Sequence, residues 1–130
     1  MVRFFYVVVL WFCFIHGIAQ EIVKENLGGN INTIYNESKP IISPDGKTLF
    51  FARQNYPDNF KSFKDPQDIY YSIYSGNEWS RAVNIGFPLN DKHPNGVNSV
   101  SIDGNKLLVI NAYNPDGSVS AGASVSRKTS

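Results

Sequence analysis

The sequence predicts an all-β protein built from small antiparallel sheets, and three observations lead to this prediction. A Ser-x-Asp-Gly sequence occurs twice, and a short apolar run follows each copy. The segments between these turn sequences are rich in β-branched and aromatic residues, which favour strands. After residue 20 no segment shows a helical periodicity of comparable strength. We therefore expect antiparallel sheets of about four strands, connected by tight turns.

The turn sequences have a physical basis in their proline, aspartate and glycine residues. Pro44 presets φ near the value that the second position of a type I turn needs, and Gly46 accepts the positive φ that follows. We interpret the aspartates as turn residues and not as calcium ligands, because no loop has the spaced acidic series of a calcium loop. Asn114-Pro115-Asp116-Gly117 repeats this chemistry, and Asn95-Gly96 is a further turn candidate. The repeated turn motif comprises Ser43, Pro44, Asp45, Gly46, Ser101, Asp103 and Gly104.

The two turn sequences belong to an internal repeat with an offset of 58 residues. The run Thr48–Ala52 matches Lys106–Ile110 at this offset, and no gap is needed. The matches that lie upstream are Leu27-Gly28 with Ile85-Gly86 and Ile31-Asn32 with Leu89-Asn90. The chain therefore divides into one full unit, roughly 27–84, and most of a second, 85–130. The strand-like run 68–72 has its nearest counterpart at 123–126, about three residues early.

The second unit contains four consecutive apolar residues, Leu107 to Ile110. Consecutive apolar positions in a strand indicate burial on both faces of the sheet. Stacked sheets bury both faces when sheets of the same kind lie on each side, as they do in a β-propeller. Two repeats are fewer than the four to eight blades of a closed propeller. We therefore predict an incomplete β-propeller over residues 20–130.

The first 19 residues read as a signal peptide. Arg3 supplies the positive charge, and Phe4 to Ile15 form an apolar run that is too short to span a bilayer. Gly17 and Ala19 provide the small residues of a cleavage site. These features predict an exported protein, located in the periplasm or at the outer membrane, or secreted, with no transmembrane span after cleavage.

The charge and cysteine content exclude several classes of partner and site. The formal net charge is +1, which gives no electrostatic case for binding nucleic acid. The single cysteine excludes a disulfide framework and a four-cysteine zinc site. We expect no metal and no cofactor.

The segment Pro40–Arg53, which includes Ser-Pro-Asp-Gly-Lys, resembles the WD40-like β-propeller repeat of TolB-type proteins of the bacterial envelope. Asp68-Ile69-Tyr70-Tyr71-Ser72 and the segments Glu78–Ser80 and Val83–Gly86 are similar to the rest of that unit. The second copy departs from the pattern, because Ile102 replaces the proline and Ser124-Val125 replaces the Ile-Tyr pair. The resemblance implies stacked four-stranded blades and recognition through their loops.

The sequence offers no catalytic residues. His93 is the only histidine after residue 19, and it lies in a loop by composition. Neither a Gly-x-Ser-x-Gly elbow nor a phosphate-binding glycine loop occurs. We favour a solvated loop histidine over a general base, and we keep His93 as a weak ligand-binding candidate.

Three aromatic residues between the second and third predicted strands are further weak candidates: Tyr56, Phe60 and Phe63. Exposed aromatic rings among mixed charges can bind glycans or peptides. The alternative, which we favour, is that they cover the core of their own sheet.

Together, these features of the sequence predict a non-catalytic binding or scaffolding module of an exported envelope protein. Its expected partners are a protein or glycan of the cell envelope, together with further blades of a longer chain or copies of itself. The alternative is the N-terminal part of a propeller-fold hydrolase, a peptidase or glycosidase, whose catalytic residues lie outside this chain.

Overall fold

The structure, a computed structural model, describes residues 21–129 and consists of two antiparallel β-sheets. Sheet 1 contains four strands and sheet 2 contains three strands within the described range. A single turn of 3₁₀ helix, Ser62–Lys64, interrupts the loop between the second and third strands. The all-β prediction is confirmed. The predicted signal peptide 1–19 lies outside the described residues.

The seven strands follow one another with simple up-and-down connectivity, in the order β1-β2-β3-β4 in sheet 1 and β5-β6-β7 in sheet 2. Strand β5 of sheet 2 lies against β1 of sheet 1. The strand bounds are β1 Asn36–Ile42, β2 Thr48–Gln54, β3 Asp68–Ile73, β4 Val83–Asn84, β5 Val97–Val100, β6 Lys106–Tyr113 and β7 Val119–Arg127.

The two turn sequences form the β1–β2 and β5–β6 turns with the same set of hydrogen bonds. The Ser43 hydroxyl donates to Asp45 Oδ1 (2.6 Å) and accepts the Thr48 N–H, while Asp45 Oδ1 accepts the Lys47 N–H. In the second turn Ser101 and Asp103 make the equivalent bonds, 58 residues later. These side chains satisfy backbone donors that the tight turn leaves without strand partners.

Sheet 1 buries apolar side chains on both of its faces. Leu49, Phe51 and Tyr70 point to one face, where Ile31 from the N-terminal segment covers them. Phe50 and Ile69 point to the other face, which packs against sheet 2. The alternation of β2 residues between two buried faces explains why this strand is apolar almost throughout.

Sheet 2 is buried on one face only. Val97 and Val109 are buried against sheet 1, and Leu107 packs beside them. On the opposite face, which we call the open face, Leu108 is 37 % exposed and Val125 is 54 % exposed. The prediction that Leu107 to Ile110 are buried on both faces is therefore wrong for residues 21–129, because no sheet covers the open face in this range. The sequence predicts only most of a second unit, and sheet 2 has three strands within the described residues.

Glycine is required at the two repeated turns because of backbone conformation and not because of space. Gly46 has φ +72° and Gly104 has φ +70°, and an added Cβ would meet nothing within 4 Å at either position. We expect Gly46→Ala and Gly104→Ala each to lower the free energy of unfolding by about 1–2 kcal/mol, the cost of a left-handed conformation for an L-residue. Urea unfolding monitored by fluorescence measures the effect.

Gly29→Ala is the matched control for these turn variants. Its surroundings are equally open, but its φ lies outside the positive range. We expect it to leave stability within about 0.5 kcal/mol of the wild type. Equal losses in all three variants would contradict a conformational role for Gly46 and Gly104.

Candidate functional site

The candidate site is the end of the molecule where the β2–β3 loop (residues 55–67) and the β4–β5 connector (residues 85–96) lie together. The loop joins β2 to β3, and the connector runs from β4 of sheet 1 to β5 of sheet 2. Both leave sheet 1 at the end opposite the β1–β2 turn, since antiparallel strands alternate in direction. Lys61 Nζ donates to the Lys92 carbonyl oxygen at 2.7 Å, which links the loop to the connector. The sequence candidates Tyr56, Phe60, Phe63 and His93 all lie on these two segments.

Two buried aspartates give the β2–β3 loop its shape. Asp65 accepts the backbone N–H groups of Lys61 and Gln67 at 3.1 and 3.2 Å. Asp68, at the start of β3, accepts the Phe60 N–H at 2.9 Å through Oδ2. Backbone donors in the loop thus bond to carboxylates in the loop and at the start of β3, and these bonds fix the conformation of the loop.

The carboxyl group of Asp68 lies in an unfavourable environment for a negative charge. Both the residue and its Oδ1 atom are buried, and Oδ1 has no hydrogen-bond partner among the described residues. Burial raises the pKa of the Asp68 carboxyl, with Asp65 and Asp91 adding to the rise and the Asn84 amide opposing it. The carboxyl is therefore easier to protonate than an exposed aspartate.

Asn59 connects the loop to the strands beneath it. Its amide donates to the Arg53 carbonyl oxygen at 3.0 Å, and its Oδ1 accepts the Tyr70 hydroxyl at 2.9 Å. Burial raises the pKa of Tyr70 to about 12, so the phenol remains a hydrogen-bond donor at physiological pH.

Arg53 lies at the centre of the packing under the loop. Its guanidinium contacts the rings of Tyr56, Tyr70 and Phe51, at 4.6, 4.9 and 5.3 Å from their centroids. Its Nε donates to Glu37 Oε1 at 3.2 Å, and one Nη donates to the Ile31 carbonyl oxygen at 2.9 Å. A planar guanidinium can stack on rings and donate in its own plane at the same time, which an ammonium group cannot do.

The aromatic side chains form a continuous series from the surface to the core. Phe63 and Tyr35 have ring centroids 6.3 Å apart, Tyr35 and Tyr56 5.0 Å, and Tyr56 and Tyr70 5.7 Å. Tyr70 in turn lies 6.1 Å from Phe51. The position of exposed Phe63 is therefore determined by contacts that reach the buried core.

The structure separates the three aromatic candidates by exposure. Tyr56 is half-buried against the core, whereas Phe60 is 57 % exposed and Phe63 is 58 % exposed. Tyr56 thus makes the core-covering contacts that the sequence favoured for all three residues. Phe60 and Phe63 present apolar rings to solvent from a loop whose backbone is held internally.

His93 makes a local contact within the connector. Its Nδ1 lies 3.1 Å from Asp91 Oδ1, and its backbone N–H donates to the same oxygen at 2.8 Å. Although burial opposes ionisation of Asp91, the His93 backbone N–H, the Asn95 amide and the His93 ring together hold the pKa of Asp91 below its usual value. This geometry closes a turn of the connector.

The connector is fixed to sheet 1 through Asn90, which the sequence analysis did not single out as functional. The buried Asn90 side chain accepts the Ile69 N–H at 2.8 Å and donates to the Ile69 carbonyl oxygen at 2.9 Å. Its amide also donates to Asn84 Oδ1 at 2.7 Å. The match of Ile31-Asn32 with Leu89-Asn90 in the repeat was the signal that could have drawn attention to this residue.

Asn95-Gly96 does not form the predicted turn. Asn95 is buried, its Oδ1 accepts the Asp91 N–H, and its backbone carbonyl oxygen accepts the Gln67 amide at 2.7 Å. These bonds draw Asn95 inward to support the connector, so the chain passes through Gly96 directly into β5.

Comparisons with protein-family models, curated proteins and solved structures return no match for this chain. Within residues 21–129, no group of three or more His, Cys, Asp and Glu side chains is arranged to hold a metal ion. A search of the same range for a helix with the length and hydropathy needed to cross a membrane finds none.

Replacing Arg53 by lysine tests the packing under the loop. We expect Arg53→Lys to lower the free energy of unfolding by about 1–2 kcal/mol, because the ammonium group loses the ring stacking and part of the hydrogen bonding. Arg81→Lys, at an exposed position, serves as the control and should change stability by no more than about 0.5 kcal/mol. Urea unfolding of both variants measures the change in the free energy of unfolding, and equal losses would contradict a central role for Arg53.

The raised pKa of Asp68 predicts a specific pH dependence of stability. Because the folded-state pKa exceeds the unfolded value, the native state binds more protons between the two values, and stability falls as pH rises through that window. We expect the stability of the wild type relative to Asp68→Asn to increase on acidification from pH 7 to pH 4. Denaturant unfolding of both proteins across this range provides the measurement, and a pH-independent difference would refute the expectation.

Proposed function

We propose that this chain is a non-catalytic binding module of an exported bacterial envelope protein, and that its two sheets are blades of a WD40-like β-propeller. The module recognises a protein or glycan of the envelope through the β2–β3 loop. Phe60 and Phe63 supply the main contact surface, and the buried residues below them keep that surface in a fixed conformation.

The arrangement of the two sheets supports the blade assignment. The sheets pack face to face, and their first strands, β1 and β5, lie against each other. The β1–β2 and β5–β6 turns are closed by equivalent side chains at the 58-residue offset. Propellers are built by radial repetition of such antiparallel sheets.

The observation that carries the binding proposal is the difference between two equivalent loops. Thirteen residues, 55–67, connect β2 to β3, whereas five residues, 114–118, connect β6 to β7. The short connection is a turn closed by Asn114, Asp116 and Ser118. The long one exceeds what strand connection requires, and it exposes two phenylalanines. Loops of this kind on a rigid scaffold are common locations of binding function.

The internal bonding of the loop is also suited to recognition. Its backbone is fixed by Asp65, Asp68 and Asn59, so little conformational freedom is lost when a ligand binds. Lys61, which lies between Phe60 and Phe63 in the sequence, adds a cationic side chain. Rigid aromatic surfaces beside hydrogen-bonding groups are a frequent feature of protein and glycan recognition.

The alternative, a propeller-fold hydrolase with catalytic residues outside this chain, has no specific support in the site. The His93 ring contacts Asp91, and the hydrogen bonds of His93 within residues 21–129 include no serine or threonine hydroxyl. We therefore retain the binding module as the proposal.

A double substitution in the loop tests the proposal. We expect Phe60→Ala/Phe63→Ala to reduce binding to the envelope ligand at least tenfold while leaving the fold intact, because both side chains are exposed. Ile102→Ala is the matched control, since Ile102 is 93 % exposed but lies in the β5–β6 turn at the opposite end.

Two measurements distinguish the ligand classes. Co-sedimentation with purified peptidoglycan sacculi reports a glycan, and photocrosslinking from p-benzoylphenylalanine at position 60 in intact cells reports a protein. Equal binding by the wild type, the double variant and Ile102→Ala would reject the loop as the recognition site. A wild type that neither sediments with sacculi nor crosslinks would reject the proposed function.

A further inference from the structure

Two hydrogen-bond circuits in the molecule are identical at the 58-residue offset. In the later circuit, Asn84 Oδ1 accepts the Gly86 N–H at 2.8 Å and the Asn90 amide at 2.7 Å. In the earlier one, Asn26 Oδ1 accepts the Gly28 N–H at 2.8 Å and the Asn32 amide at 2.9 Å.

The backbone of the two circuits matches as well. The Asn32 N–H donates to the Gly28 carbonyl oxygen at 2.9 Å, and the Asn90 N–H donates to the Gly86 carbonyl oxygen at 2.9 Å. Both glycines have positive φ, +85° and +74°. The segment 26–32 therefore repeats these side-chain and backbone hydrogen bonds of the segment 84–90.

The later circuit joins a strand to a sheet. Asn84 belongs to β4 and pairs with Tyr70 of β3, and the Ile85 N–H donates to the Ile69 carbonyl oxygen. Asn90 then bonds to both backbone groups of Ile69, as described above. Together these contacts fix the outer strand and the start of the next unit to β3.

The earlier circuit has the same hydrogen bonds, but its residues do not pair with a strand. Asn32 is exposed, and its amide donates to Asn26. Leu27, at the position of Ile85, is also exposed. A cavity of about 700 Å³ separates Glu25 and Asn26 from Ile42 of sheet 1 and the neighbouring Tyr74. Residues 25–27 therefore stand beside sheet 1 without packing closely against it, whereas Ile31 is buried on the sheet.

Sheet 2 presents the edge that such a strand requires. Ala123 of β7 pairs with Ile110 as Ile69 of β3 pairs with Ala52. Within residues 21–129 no strand pairs with the outer edge of β7, which is the position that β4 occupies beside β3. On the open face, Leu108 holds the repeat position of Phe50, which packs against the neighbouring sheet.

The N-terminal segment cannot reach this edge within one molecule. Ile31 covers the face of sheet 1 that bears Leu49 and Phe51, while sheet 2 packs against the opposite face. Sheet 1 therefore lies between the segment and β7. In this arrangement of residues 21–129, a second molecule can bring its strand to the edge of β7.

We propose that two copies of this chain associate by exchanging this strand. Residues 25–27 of one molecule add to the edge of β7 in the other, and Asn32 bonds to Ala123 as Asn90 bonds to Ile69. The open face of each sheet 2 is then covered by the Ile31-bearing side of sheet 1 from the partner molecule. Residues 21–129 of two molecules contribute four sheets, and propellers have four to eight blades. The proposal rests on the blade assignment made under the proposed function, but not on any ligand.

The register of the exchanged strand provides a direct test by disulfide crosslinking. Val83 pairs with Tyr71 in sheet 1, so the same register places Glu25 opposite Val125 of the partner. Directly opposed residues of antiparallel strands have Cβ separations that suit a disulfide. In the full chain with Cys13→Ser, we expect Glu25→Cys/Val125→Cys to form covalent dimers on mild oxidation. Glu25→Cys/Asn98→Cys, with the second cysteine on β5, is the out-of-register control and should remain uncrosslinked.

Sedimentation equilibrium supplies the second measurement. We expect the wild-type chain to sediment at twice the mass of a single molecule, and Asn32→Ala to weaken the dimer at least tenfold. Asn98→Ala, at an exposed position on β5, should leave the association unchanged.

The outcomes separate this proposal from the proposed function. A wild type that remains monomeric up to about 100 μM, or equal crosslinking by both cysteine pairs, overturns the strand exchange. Loss of binding by Phe60→Ala/Phe63→Ala with unchanged dimerisation supports both proposals. A dimer with in-register crosslinks that binds no envelope ligand supports the exchange and refutes the proposed function alone.

Discussion

The structure depends on one constraint: sheet 1 has two apolar faces and must cover both of them. Strand β2 places Leu49 and Phe51 on one face and Phe50 and Ala52 on the other, so neither face can be left to water without losing much of the burial that stabilises so small a sheet. Sheet 2 covers one face and Ile31 covers part of the other. The fold of this chain is thus the consequence of a strand that needs neighbours on both sides.

Hydrophobic burial alone would not fix how the two sheets meet, because apolar contact is not directional. Directional contacts come from amide side chains that hold the β4–β5 connector on sheet 1. Asn90 satisfies both backbone groups of Ile69, and Asn84 fixes Asn90 in turn. Since an unsatisfied buried backbone group costs about 1–3 kcal/mol, moving the connector away from β3 would be unfavourable. The asparagines therefore fix the connector on sheet 1, and the apolar side chains supply most of the free energy of stacking.

The features that could be predicted from the sequence are those that depend on short-range chemistry. Ser43, Asp45 and Gly46 specify a turn through their own side chains and backbone, so the β1–β2 turn and the strands beside it were predictable, as was the all-β class. Longer-range features were not. Leu108 looked buried because an apolar run does not reveal whether a neighbour is present, and Asn95-Gly96 looked like a turn because nothing local shows that Gln67 draws Asn95 inward. Arg53 escaped notice for the same reason, since its partners Glu37, Tyr56 and Tyr70 meet only in the folded chain.

The coupling between Arg53 and the β2–β3 loop explains how an exposed apolar surface can persist on so small a scaffold. Exposed phenylalanines on a flexible loop would collapse against the nearest apolar surface. Here Tyr56 already occupies the space above Arg53, Tyr35 packs between Tyr56 and Phe63, and Asp68 holds the backbone of Phe60. The places into which the two rings could fold are filled by other side chains, so Phe60 and Phe63 remain at the surface. The Arg53 guanidinium, which stacks with core rings, and the buried Asp68 carboxylate thus both help to keep the proposed contact surface available to a ligand.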